Sequence, residues 1–207
     1  MEENRKYYSA ITKIAWGYIF IYVHINLHTI DILPSFLGYA MILYALTLLK
    51  DKCKNIMLLR PLAIVLIIWN LFLWIMSSFF GGFSLLHINI IAIIIEMYFT
   101  FSLFTQLSFL AAEYQSEEQH IDRMLIRIRN IYTVDATLIN LINLAPQLSS
   151  KIITSDAYSY YIIISTVIML ITALILVISL FSLRRLFKEN SSAKETEIPT
   201  IEENPTP

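Results

Sequence analysis

Long apolar runs recur along this chain, and that recurrence limits its fold more than any other feature. A helix crossing the hydrocarbon core of a bilayer needs about 20 predominantly apolar residues, because its backbone polar groups must be satisfied internally. Runs of that kind fall near residues 11–29, 32–49, 61–80, 85–107 and 158–183, each ended by charge, glycine or proline. With 57% hydrophobic and only 15% charged residues, the composition is that of a membrane protein whose first partner is the lipid bilayer. The formal net charge of -1 holds no excess of Lys and Arg to neutralise phosphates, so no nucleic-acid partner is expected.

Residues 131–149 are less apolar, being interrupted by Asp135, Asn140, Asn143 and Pro146, and charge decides their assignment. Six spans with the N-terminus inside put four cationic groups of residues on the cytoplasmic side. These are Arg5, Lys6 and Lys13; Lys50, Lys52, Lys54 and Arg60; Arg123, Arg127 and Arg129; and Arg184, Arg185, Lys188 and Lys194. Lys151 alone falls outside, which is the positive-inside bias; without the fifth span, Arg184 and Arg185 would be thrown outward.

The expected fold is therefore all-α, a polytopic membrane helix bundle of about six transmembrane helices in three hairpins, with both termini cytoplasmic. Residues 1–188 form one transmembrane domain and residues 189–207, rich in Glu, Thr, Ser and Pro, a disordered tail. The N-terminus carries positive charge before an apolar run but no small-residue cleavage site, and it reads as an uncleaved first span. Ile121, Met124, Leu125, Ile128 and Tyr132 lie close to one helical face. That pattern suits either a surface-lying lead into the fifth span or one continuous helix. The single cysteine, Cys53, reads as a free thiol in a reduced compartment.

Ionisable and amide side chains within a span are costly and face the bundle interior or water. Glu96 and Asn70 fall at similar depths near the midplane, and a tight turn at Gly81 and Gly82 would let them hydrogen-bond. Asn140 and Asn143 share a face of the fifth span, with Asn143 expected opposite Ser165 and Thr166. These four are the intramembrane polar candidates.

His24, His28 and Asp31 follow i, i+4, i+7 spacing, and His87 belongs to the same outer layer. Such a set could hold a transition metal or a haem iron, set against histidines that merely hydrogen-bond to backbone, water or tyrosine. Helix-start chemistry explains more of the segment. Asp31 can cap the second span, Pro34 is tolerated in its first turn, and Gly38 leaves room for the first span near His24. No metal or other cofactor is expected on this reading.

The run "INLHTIDILPSFLGYAMILYAL" resembles an uncharacterised family of small six-span proteins in the cytoplasmic membranes of Firmicutes, marked by an "IDILPDFIGY"-like segment in the first hairpin. Asn26, Ile30, Asp31, Ile32, Leu33, Pro34, Phe36, Gly38 and Tyr39 match it, and Ser35 stands where an acidic residue is usual. The resemblance implies a bacterial cytoplasmic membrane and a multi-pass architecture, and no activity.

No GxSxG, HExxH or P-loop occurs, and Ser77 and Ser78 have no base at an identifiable spacing, so an enzyme is not expected. The leading expectation is a non-enzymatic accessory, sensing or assembly component, partnered by other membrane proteins or by self-association. The alternatives are a small-solute or ion transporter using Glu96, and a metal- or haem-binding protein using His24, His28 and His87.

Overall fold

A computed structural model of the chain describes residues 2–23, 26–27, 30–31, 33–53, 55–80, 86–116, 120–144 and 155–196. Its helices are α1 (Glu2–Tyr22), α2 (Ser35–Leu49), α3 (Leu59–Phe80), α4 (Leu86–Tyr114), α5 (Ile121–Leu144) and α6 (Ser155–Thr196). A 3-10 turn, Ile56–Leu58, leads into α3, and two short strands, β1 (Asn26–Leu27) and β2 (Ile30–Asp31), separate α1 from α2. Each helix packs on the next in sequence and α6 returns to α1, so the six close into a ring. Three helical stretches are long and apolar enough to cross a membrane: Ile56–Phe79, which takes in the 3-10 turn and α3, Ile90–Tyr114 in α4 and Ile163–Lys188 in α6.

One end of the ring gathers the charged segments. Lys6 of α1 pairs with Asp51 after α2, and Lys52 pairs with Glu113 near the end of α4. Lys6 donates to the Asp51 carboxyl and holds it below the usual carboxylate range. Arg184 of α6 lies over the Tyr8 ring and donates to its hydroxyl at 2.7 Å. Just inside this end is the best-packed part of the core, where Tyr7, Tyr114 and Phe187 meet at centroid distances of 5.1 to 5.9 Å. Leu46, Leu49, Ile56, Leu107 and Leu183 are fully buried around them. Towards the other end the helices turn large apolar side chains outward, among them Ile68, Phe79, Ile94 and Ile163.

Cys53 sits within this charged end and is buried. Burial pushes its thiol up to about 11. The thiolate is the reactive form, so at pH 8 Cys53 should react with a hydrophilic maleimide on the order of 100-fold more slowly than a free cysteine. Labelling followed by mass spectrometry, with and without denaturant, checks this.

The α4–α5 turn is tied by Gln115. Its Oε1 accepts from the backbone N–H groups of Ile121 and Asp122 at 2.8 and 3.2 Å, and its Nε2 donates to Asp122 at 2.7 Å. These bonds satisfy helix N-terminal donors that would otherwise lack partners. Just before α5, His120 has φ 44, a left-handed conformation that glycine adopts without strain. His120→Gly should therefore raise stability by about 0.5–1 kcal/mol, read as an upward shift in the unfolding midpoint in detergent.

Several sequence expectations change. The first helix begins at Glu2 and ends at Tyr22, well short of residue 29, because the chain then enters the ladder. In that ladder Asn26 pairs with Asp31 and Leu27 with Ile30, and β2 packs on α3. Asp31 is thus held in a strand, and the expectation that its carboxylate caps α2 lies outside the described residues. The capping position is Pro34, extended at φ -69 and ψ 134.

Gly38 does leave room for the first span, where it faces Gly17, Phe20 and Ile21 of α1; His24 lies outside the described residues. A Cβ on Gly38 would collide with the Gly17 carbonyl oxygen, and a Cβ on Gly17 would lie 2.7 Å from the Gly38 carbonyl oxygen. α5 is one continuous helix from Ile121, with Ile121, Leu125, Ile128 and Tyr132 buried along one face. The expected disordered tail is helical as far as Thr196, since Glu, Lys and Ala with no Gly or Pro let α6 run on. The expected fifth span beyond Leu144, and residues 197–207, lie outside the described residues.

Candidate functional site

Inside the ring, four helices converge on one carboxyl. Glu96 lies ten residues into α4, about 15 Å along the helix from its start. The Tyr39 hydroxyl of α2 donates to it. One turn further along α4, Thr100 hydrogen-bonds to Tyr132 of α5, and Tyr22 of α1 donates to the same Tyr132 hydroxyl. Tyr18, one turn before Tyr22, lies beside Thr100 with its hydroxyl buried and without a hydrogen-bond partner among the described residues.

Aromatic packing fixes these phenols. Tyr18 stacks on Tyr22 at 5.8 Å and meets Phe104 at 5.3 Å. Tyr22 meets Tyr132 edge-on at 6.3 Å, and Tyr39 meets Phe99 at 6.0 Å. Tyr18, Tyr39 and Thr100 are each only 2% exposed, so the cluster is interior, while Glu96 and Tyr22 are half-buried.

A second carboxyl lies between α5 and α6. Asp135 is one turn along α5 from Tyr132 and hydrogen-bonds to Ser165 of α6. It is 8% exposed, and its Oδ2 has no hydrogen-bond partner among the described residues. The nearby cation, Arg129, turns elsewhere. Its guanidinium donates to Thr105 and Asn130 and lies 4.2 Å over the Phe101 ring.

The sequence candidates fare unevenly. Glu96 is central, but Asn70 donates to the Leu66 carbonyl of its own helix at 2.8 Å, and the expected Asn70–Glu96 bond is replaced by Tyr39–Glu96. Asn140 likewise donates to Ala136 within α5. Ser165 faces Asp135 rather than Asn143, a register eight residues away from the expected one. The side chain of Asn143 lies outside the described residues, as do His24, His28 and the side chains of His87 and Asp31. Among the described residues, no three His, Cys, Asp or Glu side chains converge as a metal site would need.

Sequence reasoning misses the tyrosines and the role of Asp135. Their signals are present: Tyr18 and Tyr22 at i, i+4, and Tyr132 and Asp135 at i, i+3. No family model, curated protein or solved structure matches the chain.

Chemically, a carboxyl hydrogen-bonded to one phenol, with further phenols close by, can take up and release a proton. With aromatic faces around it, the same carboxyl can also act as counter-charge to a cation.

Proposed function

We propose that this chain is a six-span protein of a bacterial cytoplasmic membrane, with both termini in the cytoplasm, that moves a small solute or ion coupled to a proton carried by Glu96. The observation that carries the reading is the Tyr39–Glu96 hydrogen bond inside the closed helix ring, with further phenols from α1 and α5 around it. Carboxyls at such depth are costly, and in membrane proteins they mark ion and solute paths.

Several features support the membrane assignment. The cationic segments share one end of the ring, as the positive-inside bias requires of the cytoplasmic side. The first hairpin resembles that of the bacterial family. At 15 residues α2 is about 22 Å long, shorter than the roughly 30 Å hydrocarbon core. The β1–β2 ladder completes that crossing, and non-helical backbone is tolerated at such depth where protein covers it, as α3 covers β2 here.

The test is proton movement in proteoliposomes loaded with a pH-sensitive dye, screened against panels of small solutes. Some solute should collapse an imposed pH gradient with wild-type protein and fail to do so with Glu96→Gln. Equal proton movement in the two proteins for every solute would refute the reading.

A further inference from the structure

The seam between α1 and α2 keeps one register along its length. Lys6 pairs with Asp51, and seven residues further into the ring on each side Lys13 lies 5.1 Å over the Tyr44 ring. Another seven residues on come Phe20 and Leu37, and these line a groove of about 410 Å³ together with Lys13, Ala40, Met41 and Tyr44. Leu37, Ala40 and Tyr44 are exposed at i, i+3, i+7 spacing on α2. The lone methyl of Ala40 between two large side chains leaves the trough.

The cationic end of this groove has donors to spare. An ammonium has three, and Ser9 Oγ accepts one from Lys13 at 2.7 Å. Among the described residues Lys13 has no carboxylate partner. Of the acids at this end, Asp51 is held by Lys6, Glu3 by Tyr7 and Glu113 by Lys52.

We propose that the α1–α2 groove seats an anionic phospholipid of the cytoplasmic leaflet, its phosphate on Lys13 and one acyl chain lying from Tyr44 to Phe20. This rests on the membrane assignment above and is independent of proton coupling. Lys13 stands about 10 Å inward of the Lys6–Asp51 pair, and a headgroup layer is about 5–8 Å thick, so its ammonium falls near the boundary between headgroups and chains. Basic pockets between helices on the cytoplasmic side bind anionic headgroups. Charge complementarity and shape together select the occupant. A soluble anion would leave the apolar trough unused, and a zwitterionic lipid brings no net charge to the ammonium. A protein partner needs about 20–30 residues a side, far more than the six that line this groove.

The experiment titrates the full chain, purified in detergent, with dioleoylphosphatidylglycerol and in parallel with dioleoylphosphatidylcholine, and counts bound lipid by native mass spectrometry. The first copy of the anionic lipid should bind about fivefold more tightly than the zwitterionic one, the effect of a single lysine facing anionic lipid. Lys13→Gln should bring the two lipids within about twofold of each other, whereas Lys13→Arg should keep the preference. Ala40→Phe, at an exposed position, fills the trough. It should weaken both lipids by about tenfold, as displacing two chain methylenes does.

Equal affinity for the two lipids in the wild type, or an undiminished preference in folded Lys13→Gln, overturns the headgroup assignment. Undiminished affinity in folded Ala40→Phe overturns the chain's place in the groove. Release of the protein from native membranes by alkaline carbonate, without detergent, would refute the membrane assignment and the lipid site together. Protein that stays in the membrane through that wash and still shows no lipid preference loses the lipid site alone.

Discussion

Gly38→Val should strongly destabilise the protein, although valine is an ordinary membrane-helix residue. The α1–α2 crossing brings two backbones together at Gly17 and Gly38, and a Cβ at residue 38 meets the Gly17 carbonyl oxygen and lies 2.8 Å from Cγ1 of Ile21. A flexible side chain could move aside; a helix carbonyl cannot move without carrying its helix along. The cost belongs at the upper end of overpacking, about 3 kcal/mol. For a chain of this size that lowers the unfolding midpoint by about 6–12 °C. Ala40→Val, two residues on and exposed, should shift it by no more than about 2 °C. Thermal unfolding in detergent, followed by far-UV circular dichroism, measures both; a Gly38→Val midpoint matching that of Ala40→Val would show that the helices do not meet there.

The second large effect belongs to Glu96. Glutamine keeps the shape and an oxygen that can accept from Tyr39, so Glu96→Gln should fold, yet it can neither take up nor release a proton. Positioned proton transfer contributes about 100-fold to 10,000-fold in rate, so proton-coupled flux should fall by at least about 100-fold. Tyr39→Phe separates the carboxyl from its donor. Leaving a buried polar group short of a partner costs about 1–3 kcal/mol, so this variant should lose stability as well as flux. Initial rates of proton movement and unfolding midpoints, measured on the same preparations, distinguish the two variants.

How far the sequence reveals this depends on what hydropathy and spacing can carry. The crossings within α3, α4 and α6 are legible because each run is continuous and apolar. The end of α1 is not, because Leu27 and Ile30 have the same hydropathy in a strand as in a helix. Asp31 shows the same ambiguity. A carboxylate shortly before Pro34 reads as part of a helix start, and nothing in the spacing announces its backbone pairing with Asn26. Glu96 stands out as a charge inside an apolar run, but its partners do not, since tyrosine is apolar in bulk and polar at one atom. The Tyr39–Glu96 and Asp135–Ser165 contacts depend on how the ring closes across residues 81–85 and 145–154, and spacing does not set that register.

The first measurement to make is labelling of the protein in native membranes with dicyclohexylcarbodiimide, followed by peptide mass spectrometry. This hydrophobic carbodiimide forms a stable N-acylurea on protonated carboxyls in apolar surroundings. Glu96 should be modified, as should the sheltered Asp135, with the exposed Glu113 at the charged end left unmodified. An unmodified Glu96, or equal modification of Glu96 and Glu113, would contradict a protonatable carboxyl held among tyrosines inside the membrane.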